Sequence, residues 1–306
     1  MNKLISSISP HFSSSITTTK IMLDVIIALI PAAIASVVIF GIRSLLVIGV
    51  CVAVCIFSEW GFEKICKKEN TISDLSAVVT GMILAFNLPV TIPLWQAAFG
   101  SLVAIVVVKQ LFGGIGQNFA NPAITARIIM MTAFSGTMTN WVIPDASSSA
   151  TPLALMAKGQ TQALPSYLNM FLGMRGGCLG ETCILALLIG GTYLLVKRVI
   201  SWHTPVAFIG TVALMSFICG KDVLYQLMAG GLILGALFMA TDYSSTPATK
   251  SGKLIFGIGC GLITVLIRFW GNFPEGVSFS ILIMNILTPY IEKLTRSKPL
   301  VGGDKV

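Results

Sequence analysis

The chain has 306 residues, 55% of them hydrophobic and only 10% charged, with a mean hydropathy of +0.89. Soluble domains carry about 25% charged residues, so a water-dispersed globule is excluded and the chain reads as an all-α integral membrane protein. The net charge of +8 is scattered between apolar runs, with no basic stripe and no interleaved aromatic residues. That excludes a nucleic-acid partner and leaves membrane lipid as the surrounding medium.

Residues 1–20 are polar and rich in Ser and Thr, without an apolar core behind a basic start. They read as no cleavable signal peptide, so the first span should direct insertion. Charge-free runs predict spans at 25–42 and at 44–58, the second continuing past Glu59 to 62. Residues 75–108 hold 34 uncharged positions, too many for one crossing of about 20 residues, and Pro89 and Pro93 divide them into a third and a fourth span. The fifth is predicted over 121–139, with Asn121 as N-cap and Pro122 at the first helical position. After a polar stretch, 140–181, come spans at 182–196, 205–219, 223–241, 254–267 and 277–291. Ten is the predicted count, and the short ones imply tilted or broken helices.

With the amino-terminus inside, fourteen Lys and Arg residues fall on the inner side and five on the outer, with Arg127 near the start of the fifth span. Such a bias places both termini in the cytoplasm. Five spans per half then make the second half enter from the opposite side. The apolar helix ending in Lys109-Gln110-Leu111-Phe112-Gly113-Gly114 is echoed by the one ending in Arg268-Phe269-Trp270-Gly271-Asn272. The expected organisation is a first five-span repeat (1–139), an extracytoplasmic loop (140–181) and an inverted second five-span repeat (182–306), with sites near the repeat interface.

Few side chains offer chemistry. The acids taken as membrane-proximal are Asp24, Asp74 and Asp242, each near a span end. Two histidines and no CxxC pair among seven cysteines give no metal or iron–sulfur pattern. Trp60, Trp95, Trp141, Trp202 and Trp270 sit where an interfacial belt is expected. Gly113-Gly114-Ile115-Gly116-Gln117-Asn118 lacks the Lys-Ser/Thr of a phosphate-binding loop and suits a tight turn feeding a helix start. Two broken regions, 113–122 and 242–252, hold most of the polar groups near the inner face. Asn118, Asn121 and Asp242 either frame a cavity there, for a noncovalent flavin or a coupled ion, or merely cap and stop helices.

The outer loop contains Asp145-Ala146-Ser147-Ser148-Ser149-Ala150-Thr151-Pro152-Leu153. On composition this is a Ser-rich turn. It also resembles the flavinylation motif, roughly Asp-x-x-Ser-Gly-Ala-Thr-x-Leu, of the RnfD family, the D subunits of the Rnf electron-transport complex. The B subunit of the sodium-pumping NADH:quinone reductase shares that motif. Ser9-Pro10-His11, Asp74-Leu75-Ser76-Ala77, Gly113 to Ala123, Gly180-Glu181-Thr182, Phe238 to Tyr243 and Pro274 to Phe279 are similar to the family in the same order, and the short amino-terminus favours its Rnf branch. The resemblance implies FMN esterified through its phosphate to Thr151 by a dedicated flavin transferase, with Ser148, Ser149 and Ala150 as small neighbours in an exposed loop. Ser149 departs from the usual glycine.

The resemblance further implies a second, noncovalent flavin of the riboflavin type. It implies partnership with the A, B, C, E and G subunits of Rnf in the cell (inner) membrane. There the complex would pass electrons between ferredoxin and NAD, coupled to sodium or proton movement, and this chain would relay them from flavin to flavin. A free-standing inverted-repeat transporter and a non-redox structural protein of the membrane are the alternatives that the repeat alone leaves open.

Overall fold

The structure, a computed structural model, describes residues 17–142, 151–157, 159–160, 164–271 and 276–296. Several residues singled out above lie outside that set, namely Ser9, Pro10 and His11, Asp145 to Ala150, Asn272, and Pro274 with Glu275.

Helices α1 (Thr18–Phe40) and α2 (Ile42–Ile65) open the chain, joined at Gly41. Thr17 caps α1 by accepting from Lys20 N at 3.3 Å. Helix α3 (Ser76–Phe86) has 11 residues, a rise of about 16 Å against about 30 Å of hydrocarbon, so it reaches only mid-depth. It ends at Asn87, just before Pro89, as the prolines foretold. Helix α4 (Leu94–Leu102) runs into a wider, π-type stretch, Val103–Gln110. Helix α5 (Pro122–Ala133) ends six residues before the predicted limit, giving way to the short turn α6 (Ser135–Met138). Two small helices, α7 (Pro152–Ala157) and α8 (Tyr167–Leu172), follow.

Helices α9 (Ile184–Val196) and α10 (His203–Ile218) begin the second half. The predicted eighth span is broken: α11 (Val223–Met228) stops, Gly230 and Gly231 both take φ of 65°, and α12 (Leu232–Leu234) resumes into a second π-type stretch, Gly235–Met239. Helices α13 (Lys250–Trp270) and α14 (Val277–Thr295) complete the chain. No strand occurs among the described residues. Among the described residues four helices, α1, α2, α13 and α14, are long and apolar enough to cross a membrane singly, and the other apolar helices are shorter.

Packing follows the logic of lipid. Helix α13 buries Phe256, Gly257, Cys260, Gly261, Thr264 and Val265 and exposes Leu254, Ile255, Ile258, Leu262 and Leu266. Gly257 and Gly261 are four apart, and a Cβ at either would come within 2.7 Å of Ala207 Cβ or 2.6 Å of Thr211 Cβ on α10. Small residues allow such close backbone approach where lipid gives no hydrophobic drive between helices. Outward faces carry Val38, Phe57, Phe217 and Leu294, each more than two-thirds exposed, as a lipid-facing surface requires.

One expectation about the 140–181 loop changes. Residues 175–182 are buried, because Leu179 N donates to Leu88 O and Gly180 N to Phe86 O, both at 3.0 Å. Ser36 Oγ also donates to Leu179 O at 2.7 Å. The carbonyls freed where α3 stops at mid-depth need partners, and this glycine-rich return supplies them.

Candidate functional site

The structure brings Asn118, Asn121 and Asp242 to the wall of one cavity of about 100 Å³. Ser76, Thr80, Lys109, Thr241, Tyr243 and Ser244 also line it, with an apolar flank from Met22, Val25, Leu194 and Phe238. It lies where the two broken segments, 111–121 and 240–249, meet, each following a π-type stretch. In the first, Leu111 N donates to Val106 O and Gly114 N to Lys109 O, both at 3.0 Å. In the second, Ala240 N donates to Gly235 O at 2.7 Å. Widened turns of this kind recur at functional sites.

These residues also make local contacts of their own. Asn121 is a cap, accepting from Ala123 N at 3.1 Å and Ile124 N at 3.3 Å, but its Nδ2 also donates to Met239 O at 3.5 Å across the two halves. Asp242 closes a local turn, accepting from Ser245 Oγ at 2.9 Å and Ser244 Oγ at 3.1 Å. Asn118 is 9% exposed, and its Oδ1 has no hydrogen-bond partner. An unsatisfied buried carbonyl is costly, so this oxygen is the group in the wall that calls for a ligand.

The acids that matter most at depth are not those read from the sequence. Glu59, Glu63 and Glu181 are all buried. Lys109 Nζ, counted above among the inner-face charges, is buried at 2.6 Å from Glu59 Oε1 and donates to Ser76 Oγ at 2.6 Å. Gln110 Nε2 donates to the same Glu59 oxygen at 2.8 Å, and Thr71 Oγ1 at 3.2 Å. Thr71 also donates to Glu63, and Ser76 Oγ to Asp74 Oδ1 at 2.5 Å. This chain of groups joins the α2–α3 connection to the cavity wall. The missed signal was spacing: Glu59 and Glu63 are one turn apart on α2, so they share a face.

Arg127 is likewise not a boundary charge. It is 2% exposed and donates through Nη1 to Asn87 Oδ1 and Ser278 Oγ, both at 2.9 Å. It thereby ties the end of α3 to the start of α14. Asp24 lies well inside α1 and accepts from Tyr193 OH at 2.7 Å.

Thr151 stands elsewhere, as N-cap of α7. Its Oγ1 accepts from Ala154 N at 3.3 Å and its carbonyl from Leu155 N at 3.0 Å. The residue is only 5% exposed, contrary to the exposed loop expected. Leu153 packs with Met170 and Ala229 in a small cluster separate from the main core. A cavity of about 660 Å³ adjoins α7, lined by Leu153, Met156, Lys221, Asp222, Tyr225, Arg268 and Phe269. A third cavity, about 760 Å³, lies beyond Val199, Ile200, Thr241 and Tyr243, residues it shares with the cavity of Asn118.

Volumes separate what these spaces can hold. An apolar cavity of about 150 Å³ accepts one benzene ring, so a fused three-ring flavin head needs more space than that. The Thr151-side cavity and the third cavity are wide enough; the cavity of Asn118, Asn121 and Asp242 is not. Thr151 also fits an ester chemically, since the bond from Ala154 N uses a lone pair and leaves the hydroxyl hydrogen as the position to be replaced.

The sequence profile of the NQR2, RnfD, RnfE family matches residues 5–301. The chain belongs to that family. It is 46% identical over its whole length, and over 97% of the relative, to the D subunit of the Na(+)-translocating ferredoxin:NAD(+) oxidoreductase complex of Acetobacterium woodii. It is 41% identical to the D subunit of the proton-translocating ferredoxin:NAD(+) oxidoreductase complex of Clostridium ljungdahlii, across 95% of this chain and 94% of that one. Identity to the D subunit of the ion-translocating oxidoreductase complex of Stutzerimonas stutzeri is 35%, across 93% and 95%. Membership accounts for the multi-pass helical architecture.

Proposed function

We propose that this chain is the D subunit of an ion-translocating ferredoxin:NAD oxidoreductase complex, a membrane flavoprotein that relays electrons within it. The observation carrying the reading is the end-to-end likeness to subunits of that name. An FMN ester on Thr151 agrees with the motif that contains this threonine, with its free hydroxyl hydrogen and with the wide cavity beside α7. A bound flavin supplies one- and two-electron chemistry, and the protein supplies position and electrostatics. Thr151 holds the anchor, and α7 must be unseated for a flavin transferase to reach its buried oxygen. Ser148, Ser149 and Ala150 give that enzyme small neighbours to pass.

The cavity of Asn118, Asn121 and Asp242 suits the coupled ion or its water better than a flavin, because about 100 Å³ holds about three waters at 30 Å³ each. A noncovalent riboflavin has room in the adjoining 760 Å³ space. The lysine-rich ends of α2, α9 and α14 support cytoplasmic termini in the inner membrane, which turns Thr151 outward. The A, B, C, E and G subunits of the complex are the proposed partners.

Co-expression with the flavin transferase tests the central point. A band that fluoresces in acid, survives denaturing electrophoresis and maps to the peptide holding Thr151 is the expected result. A colourless chain, or FMN on another residue, overturns it.

A further inference from the structure

We propose that Glu181 and Thr182 hold one small monovalent cation at mid-depth in the bundle, with Glu181 Oε2 and Thr182 Oγ1 as its side-chain ligands. The choice of cation rests on the reading of the chain as part of an ion-translocating complex. The site is a second station for that ion, apart from the cavity of Asn118.

Two buried oxygens stand unpaired here. Glu181 is 4% exposed and Thr182 1%, yet Glu181 Oε2 and Thr182 Oγ1 have no hydrogen-bond partner. The other carboxylate oxygen, Oε1, accepts from Cys178 N at 3.0 Å. Arg175 serves the main chain of the pair, donating to Glu181 O at 2.7 Å and to Thr182 O at 3.4 Å, which fixes the backbone of both residues. The ion pair found among the described residues is Glu59 with Lys109, so Glu181 has no such cation there. A buried carboxylate in that condition is costly at membrane depth, and a bound cation removes the cost.

The space around the carboxylate is kept clear of side chains. A Cβ at Gly177 would lie 3.0 Å from Glu181 Oε1 and 3.2 Å from Thr182 Cγ2, so both side chains lean over the same glycine. A Cβ at Gly231 would lie 2.6 Å from Glu181 Oε2, and Gly231 holds the left-handed φ of 65° that favours glycine. Bare backbone therefore faces the carboxylate from two sides, and hard cations take carboxylate, hydroxyl and carbonyl oxygens as ligands.

Helices are interrupted at this place. Gly180 N donates to Phe86 O where α3 stops, and Gly231 is the residue from which α12 resumes after the break in the eighth span. Discontinuous helices meeting near the bilayer midplane are where transporters hold their coupling ions.

The test uses the full chain in nanodiscs, with sodium chloride replacing choline chloride at constant ionic strength and the melting temperature as readout. Wild-type stability should rise with sodium and saturate. Glu181→Gln should abolish that rise and melt above the wild type in choline, because the stranded charge is gone. Thr182→Val keeps the shape of the side chain and should raise the half-saturating sodium concentration several-fold; it decides alone where Glu181→Gln does not fold. In the assembled complex, at equal covalent FMN, Glu181→Gln should raise the sodium needed for half-maximal turnover many-fold. A wild type blind to sodium overturns the site, and so does an unchanged response in either variant. Stabilisation by acid alone overturns it too, as does a response lost in Asp242→Asn but kept in Glu181→Gln. A wild-type complex without ferredoxin:NAD turnover sinks the functional reading and leaves the melting test standing.

Discussion

The two polar regions of this bundle are built on opposite plans. Around Glu59 and Lys109 every element is clamped: the pair is buried in the main bundle, and Thr71, Ser76 and Gln110 close around it. Around Thr151 a helix of six residues leans on a cluster whose buried members are Leu153, Met170 and Ala229. Charges at membrane depth persist only when paired and hydrogen-bonded. A residue that another enzyme must reach has to sit on a piece that opens for less than the cost of global unfolding. This contrast reconciles the burial of Thr151 with its proposed modification: the fold stores the hydroxyl under a small, separately held helix.

The largest expected effect strikes the loosely held side. Thr151→Ala should abolish covalent FMN while membrane insertion stays intact, and Thr151→Ser should retain part of the label; acid-gel fluorescence of membranes decides. Next comes the clamped side. Lys109→Met leaves Glu59 as a buried charge without its cation and should cost about 3–5 kcal/mol, read as thermal unfolding in detergent. Adding Glu59→Gln to it should recover most of that loss. A cost near zero for the single variant would erase the contrast, since the pair would then be no clamp.

A smaller effect sharpens the comparison. Gly230→Ala combines a left-handed backbone with overpacking against Leu153, and should cost about 1–3 kcal/mol. The loss should be local: hydrogen exchange at 152–157 should accelerate while 122–133 stays protected, and equal acceleration in both would mean α7 is not a separate unit. The mildest substitutions probe the cavity. Asn121→Ser and Asp242→Asn should each cost at most about 1 kcal/mol, yet lower turnover or ion coupling in the assembled complex with covalent FMN still present. Wild-type turnover and coupling in both would reduce these residues to caps.

Hydrophobicity and charge spacing alone determined a membrane-embedded helical chain, its sequence of apolar segments, the break at Pro89 and Pro93, and the Asn121-Pro122 helix start. Those are local properties: a run of uncharged residues must leave water, and a proline lacks the N–H a helix interior needs. The motif around Thr151 is contiguous, so the resemblance it carries needs no fold to be read. Tertiary structure decided the rest. Glu59 and Lys109 lie 50 positions apart, and Arg127 meets Asn87 and Ser278. Nothing local marks such partners, since a charge beside an apolar run looks alike whether it faces headgroups or a buried acid. The burial of 175–182 and the meeting of Asn118 and Asp242 in one wall share that origin. Half-length helices leave backbone groups unpaired at mid-depth, and only segments distant in sequence can return to satisfy them.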